Sequence, residues 1–105
     1  MSNLLNEVGE KKVLISIEPI DGLHMSDYDF KCVFYTYTNR AVVVEKKDMK
    51  KRDNDNYIAI LDSEKIRALG KGCVKLRVIG YIPDADFSDG YRTEVEDVNN
   101  PNLFI

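Results

Sequence analysis

The sequence predicts an antiparallel β-sandwich with one short helix; a small α+β domain is the alternative. Three observations carry this. Six short runs rich in strand-forming residues follow one another along the chain, with turn residues between them. Helix signals are concentrated in residues 62–70, which hold at most about two turns and would not be stable undocked. The 105 residues, 44% hydrophobic and 31% charged, suit one globular domain with a modest core.

In chain order, residues 1–10 are polar apart from Leu4, Leu5 and Val8 and read as an N-terminal arm, with the sandwich domain expected over 11–98. Val13, Ile15 and Ile17 alternate with Leu14, Ser16 and Glu18 in a first strand that stops at Pro19. Asp21-Gly22, Ser26 and Asp27 supply turn residues. Tyr28 to Thr38 is the longest strand candidate, with Phe30, Cys32 and Phe34 on one face and Val33, Tyr35 and Tyr37 on the other. Thr38-Asn39-Arg40 is a tight connection into a strand from Ala41 to Glu45, which holds three consecutive valines. The run from Glu45 to Arg52 is basic but is followed at once by Asp53 and Asp55; it reads as a solvated hairpin loop, with a phosphate-contacting loop as the alternative.

The stretch from Asn56 to Asp84 organises the rest. Tyr57 to Leu61 is apolar on both faces and suits a strand covered on both sides. Asp62 or Ser63 can cap a helix, Glu64 suits its first turn, Ile66 and Leu69 share one face, and Gly70 stands where a left-handed C-cap is needed. From Val74 the pattern alternates again, Val74, Leu76 and Val78 against Lys75 and Arg77, until Pro83 ends the ladder. The two strands of this stretch are separated by about a dozen residues, so a local parallel pair is conceivable. An acidic turn spans Asp84 to Gly90, and Tyr91 to Val98 is a last alternating strand. Residues 99–105 form a tail, a polar breaker followed by Leu103, Phe104 and Ile105.

Several chemistries find no support in these residues. No apolar run approaches the roughly 20 residues that span a bilayer, and the N-terminus lacks the basic start and apolar core of a signal peptide. The net charge of −3 opposes nucleic-acid binding, which needs a positive footprint. His24 is the single histidine and lies in a turn-rich loop with no catalytic signature around it, so a small enzyme is disfavoured and no cofactor is expected. Cys32, Cys73 and His24 lack metal-ligand spacing. Asp84, Asp86 and Ser88 fall at the first three ligand positions of a calcium loop, but Asp89 stands where its glycine belongs and Val95 where its glutamate belongs; an ordinary turn is expected, with Asp84, Asp86 and Asp89 as the weak calcium candidate. The absence of tryptophan and the outward parity of Cys73 argue for two free thiols, as in a reducing cytoplasm.

Three segments together suggest a family. Asp29-Phe30-x-Cys32-x-Phe34-Tyr35 leads into a valine strand; Asn56-Tyr57-Ile58-Ala59-Ile60-Leu61-Asp62 leads through a helix to Leu69-Gly70-x-Gly72-x-Val74; Tyr81-x-Pro83-Asp84 leads to Phe87-x-Asp89-Gly90-Tyr91-Arg92. Over about residues 13–98 the chain resembles the small immunoglobulin-like β-sandwich domains of tailed-bacteriophage virions, found in baseplate upper proteins and capsid-associated proteins. The resemblance implies an assembly role without catalytic residues. Lacking the second domain of a baseplate protein, the chain is expected to be an auxiliary or decorating capsid protein, made in the host cytoplasm and resident in the virion. Its partners would be other virion proteins, the major capsid protein first among them, with a baseplate or tail component, or a cytoplasmic protein- or ligand-binding module, as alternatives. Tyr35 and Tyr37 on the second face of their strand, and Leu103, Phe104 and Ile105 in the tail, are the expected partner interface. The bland alternatives are tyrosines lying on a wet sheet and a tail that caps its own domain.

Overall fold

A computed structural model describes residues 10–37, 40–70 and 72–98. Seven strands are found among them: β1 (Lys11–Ser16), β2 (Asp29–Tyr35), β3 (Ala41–Glu45), β4 (Lys50–Asp53), β5 (Asn56–Leu61), β6 (Lys75–Pro83) and β7 (Tyr91–Val98). They make two antiparallel sheets, β1-β5-β4 and β3-β2-β6-β7, with one short helix, α1 (Ser63–Leu69). This is the sandwich-like, mostly-β class that the strand pattern predicts. Residues 1–9 of the expected arm at 1–10, and the tail at 99–105, lie outside the described residues.

Strand parity follows from burial. Val13 and Ile15 of β1, Phe30, Cys32 and Phe34 of β2, Tyr57, Ala59 and Leu61 of β5, and Leu76, Val78 and Ile82 of β6 all enter one core. Apolar side chains at alternate positions give each strand one dry face, and a slip of one residue would turn that whole set into water. In an immunoglobulin constant-type domain the second strand shares a sheet with the first and fifth; here β2 lies in the other sheet, between β3 and β6.

The chain passes between the sheets three times, after β1, β3 and β5, and every passage contains a helical turn: a 3₁₀ turn at Met25–Asp27, another at Lys46–Asp48, and α1. The third was legible. Asp62 Oδ1 accepts the Lys65 backbone N–H at 2.9 Å, Ile66 and Leu69 are buried, and Gly70 closes the helix at φ 79°. Because β5 and β6 belong to different sheets, α1 joins layers and the conceivable parallel pair does not form. Ile58 and Ile60 are only half-buried, so β5 is dry on one face rather than both, as its flanking edges leave the second face partly open. The second passage differs from its sequence reading too. The basic run is not one loop but a turn followed by edge strand β4, all of whose residues are exposed.

Two expectations follow from these elements. Burial pushes the Cys32 thiol up to about 12, whereas Cys73 is exposed. A thiolate-seeking reagent should therefore label one cysteine in the native protein, Cys73, and the second only in denaturant; rapid native labelling at Cys32 would contradict its packing. The Asp62 carboxyl is held below its usual range, first by the Lys65 backbone N–H. A depressed carboxyl stabilises the fold above its unfolded value of about 4, and that contribution fades as pH falls through the lower folded value. Asp62→Asn retains a cap but not the titration, so its melting temperature should converge on wild type as pH drops from about 6 to about 2. A constant gap across that range would refute the role of the charge.

Candidate functional site

The outer face of the larger sheet is built by register. Val43 of β3 lies opposite Val33 of β2, which faces Arg77 of β6 and then Asp97 of β7. On the next rung Glu45, Lys31, Ile79 and Val95 stand in line. Val43 is 48% and Val95 53% exposed, and Tyr91 is exposed farther along β7. An antiparallel sheet with one wet face normally presents polar residues there. This one mixes aliphatic and aromatic side chains with charged ones, of which Arg77 and Asp97 are paired.

Tyr35 and Tyr37 belong to that face and its end. Tyr35 is half-buried, with the Arg77 guanidinium 5.8 Å from its ring centre; Tyr37 is 78% exposed, with the Lys75 ammonium at 5.2 Å. Each cation–π contact engages one face of its ring. Arg77 is in turn fixed by a forked pair to Asp97, Nε–Oδ1 2.6 Å and Nη2–Oδ2 3.3 Å, which holds the Asp97 carboxyl below its usual range. The result is a surface of aromatic rings and branched chains, and aromatic residues are enriched where proteins meet. The other expected contact residues, Leu103, Phe104 and Ile105, lie outside the described residues.

The opposite, inner face of β7 carries charge. Its register sets Arg92 against Ile82, Glu94 against Gly80 and Glu96 against Val78. Arg92 makes this tolerable. Its Nε donates to Glu94 Oε1 at 2.8 Å, Nη1 to Asp84 Oδ2 at 3.3 Å, and Nη2 to Asp21. Asp21 and Gly22 both have positive φ, 53° and 80°, in the two-residue turn between Ile20 and Leu23. One guanidinium thus ties that turn, the acidic turn and β7 together. Beside it lies an open cleft of about 520 Å³ whose lining includes Ile17, Tyr28, Val78, Arg92 and Glu96. Gly80 lies in its floor, where a Cβ would stand a tight 3.2 Å from the Tyr28 ring.

The acidic turn is closed by its own backbone, Asp84 N–H to Gly90 O at 2.8 Å and Gly90 N–H to Phe87 O at 2.9 Å. Asp84 spends one carboxylate oxygen on the Asp86 N–H and the other on Arg92. Asp84, Asp86 and Asp89 are not gathered into one group, and among the described residues no cluster of three or more His, Cys, Asp or Glu is placed to hold a metal ion. His24 Nδ1 lies 2.9 Å from both oxygens of Asp55, and Asp27 accepts the His24 backbone N–H. These contacts pin the first inter-sheet passage to the β4–β5 turn.

Lys46 was missed in the basic run. Its Nζ donates to the carbonyls of Met25, Ser26 and Tyr28 at 3.1, 3.3 and 2.7 Å and stands 5.5 and 5.7 Å from the Phe30 and Tyr57 rings. Burial pulls its pKa down, while Asp29 and Asp27 pull it back. A signal existed: Lys46 continues the parity of Val42 and Val44, so a lysine there is aimed inward.

Comparison with family models, with curated proteins and with solved structures finds no match to this chain.

Proposed function

We propose that this chain is a non-enzymatic structural protein that works by docking the outer face of its larger sheet on another protein. The observation that carries the proposal is that face itself: Val43 and Val95 exposed across it, Tyr35 and Tyr37 at one end and Tyr91 at the other, with Arg77 and Asp97 paired between them. The setting follows from the resemblance alone, a bacteriophage virion, with the chain as an auxiliary or decorating capsid protein bound to the major capsid protein.

Two measurements test the proposal at different levels. Mass spectrometry of purified particles should find the chain in many copies, and its absence would end the virion setting. The double variant Val43→Asp, Val95→Asp alters exposed positions, so it should fold with a melting temperature close to wild type. It should nevertheless fail to join its partner, because two buried, unpaired carboxylates would oppose the contact. A variant that assembles as wild type does would remove this face from consideration.

The cleft beside Arg92 favours a second reading, a small-ligand module, since its volume falls within the roughly 300–1,000 Å³ of ligand sites. A ligand seated there would perturb amide resonances of Tyr28, Gly80 and Glu96 and leave Val43 and Tyr37 unmoved.

A further inference from the structure

The sheets end in four edges, β1 and β4 on the smaller, β3 and β7 on the larger. Two of these edges are strongly and oppositely charged. β4 presents Lys50, Lys51 and Arg52, all exposed, while Asp53 is turned back to accept the Asn56 side chain and the Asp55 N–H. β7 carries Glu94, Glu96 and Asp97 against a single cation of its own, Arg92; Glu94 is paired with Arg92 and Asp97 with Arg77 of β6, so Glu96 is the acid of this edge with no ion pair among the described residues. Among the described residues β4 pairs only with β5 and β7 only with β6, so each has one unpaired row of backbone N–H and C=O groups.

We infer that β4 of one copy docks alongside β7 of another, joining β1-β5-β4 of the first to β7-β6-β2-β3 of the second. Charge decides the pairing. β4 against β4 would set cations on cations, and β7 against β7 would set carboxylates on carboxylates, so each edge rejects its own kind. β4 against β7 sets the three cations of one edge along an edge whose acids outnumber its single cation, with Glu96 open to a new partner, and satisfies both open backbone rows, the mode by which an added strand extends a sheet. Such a contact is head-to-tail: each copy keeps one free edge of each sign, and association proceeds to a chain or a closed ring rather than stopping at a symmetric dimer. Contact through one short edge strand is weak and screened by salt. The inference is independent of the outer-face proposal, because it uses edges and not the face.

Sedimentation of the purified full chain tests it. At about 20 mM salt the average mass should rise with protein concentration, and at about 500 mM salt it should return to that of the monomer. Lys50→Glu with Lys51→Glu, and separately Thr93→Lys with Glu96→Lys, alter exposed positions. Each pair should abolish association at low salt while the melting temperature shows the fold retained. Mixing the two variants should restore it, since the reversed edges complement one another. Lys50→Ser with Lys51→Ser provides a milder loss should charge reversal unfold the protein, and Val43→Asp should leave self-association unchanged. A wild type that stays monomeric at low salt, variants that associate as it does, or a mixture that remains monomeric would each overturn the inference, and charged edges that simply repel all neighbours would be the correct description.

Discussion

Phe34→Ala is expected to lower the free energy of unfolding by about 3–5 kcal/mol. Phe34 has no exposed surface. It stands mid-sheet on β2, opposite Val42 on one side and Leu76 on the other. Truncation removes the burial of a phenyl ring and leaves a cavity that two hydrogen-bonded neighbours prevent from collapsing. Against a total stability of about 5–15 kcal/mol, the loss would leave the domain marginal. Urea melts of wild type and variant measure it directly. Val33→Ala, on the half-buried outer face of the same strand, is the control and should cost far less. Equal costs for the two would mean that the two faces of β2 are not so differently packed.

Lys46→Ala should cost about 2–3 kcal/mol, an unusual penalty for a lysine in a basic run. Three carbonyls of the first inter-sheet passage lose a charged donor, and the rings of Phe30 and Tyr57 lose the cation between them. Lys46→Met separates the causes, because it retains the aliphatic stem but not the ammonium. If hydrogen bonding dominates, Met should recover little of the loss. Lys47→Ala, beside it but largely exposed, should change stability by no more than a few tenths of a kcal/mol. Similar melting midpoints for the Lys46 and Lys47 variants would show that Lys46 is as dispensable as a surface lysine.

What could be read from the sequence was whatever a periodic pattern or a cap encodes. The inward sets of β1, β2 and β6 and the ends of α1 were all legible, because apolar alternation and the Asp62 and Gly70 signals are local. β4 was not, since Lys50-Lys51-Arg52-Asp53 has no apolar face and becomes a strand only because β5 offers a partner. Alternation in β7 was visible, but its sense was not. Tyr91, Thr93 and Val95 face outward because β6 fixes the register, and Arg92 pairs with Glu94 on the opposite side. Tyr35 and Tyr37 could be named as surface aromatics from parity alone, whereas their companions Val43, Ile79 and Val95 depend on pairings between strands distant in the chain.

Those same pairings set how the protein must fold. β2 with β3, β4 with β5 and β6 with β7 are hairpins, each closed by a short connection. β1 with β5 and β2 with β6 instead bring together Ser16 with Asn56 and Asp29 with Tyr81, residues separated by up to about half of the chain. Closing such long loops costs entropy before any contact repays it, so the hairpins can form early while the joining of β2 to β6 waits. A topology with this share of distant pairs folds in about milliseconds to seconds rather than microseconds. With hairpins that form early, the charged rows of β4 and β7 would be exposed before the domain that carries them is whole, and a chain refolding at high concentration and low salt would meet its neighbours through those rows first.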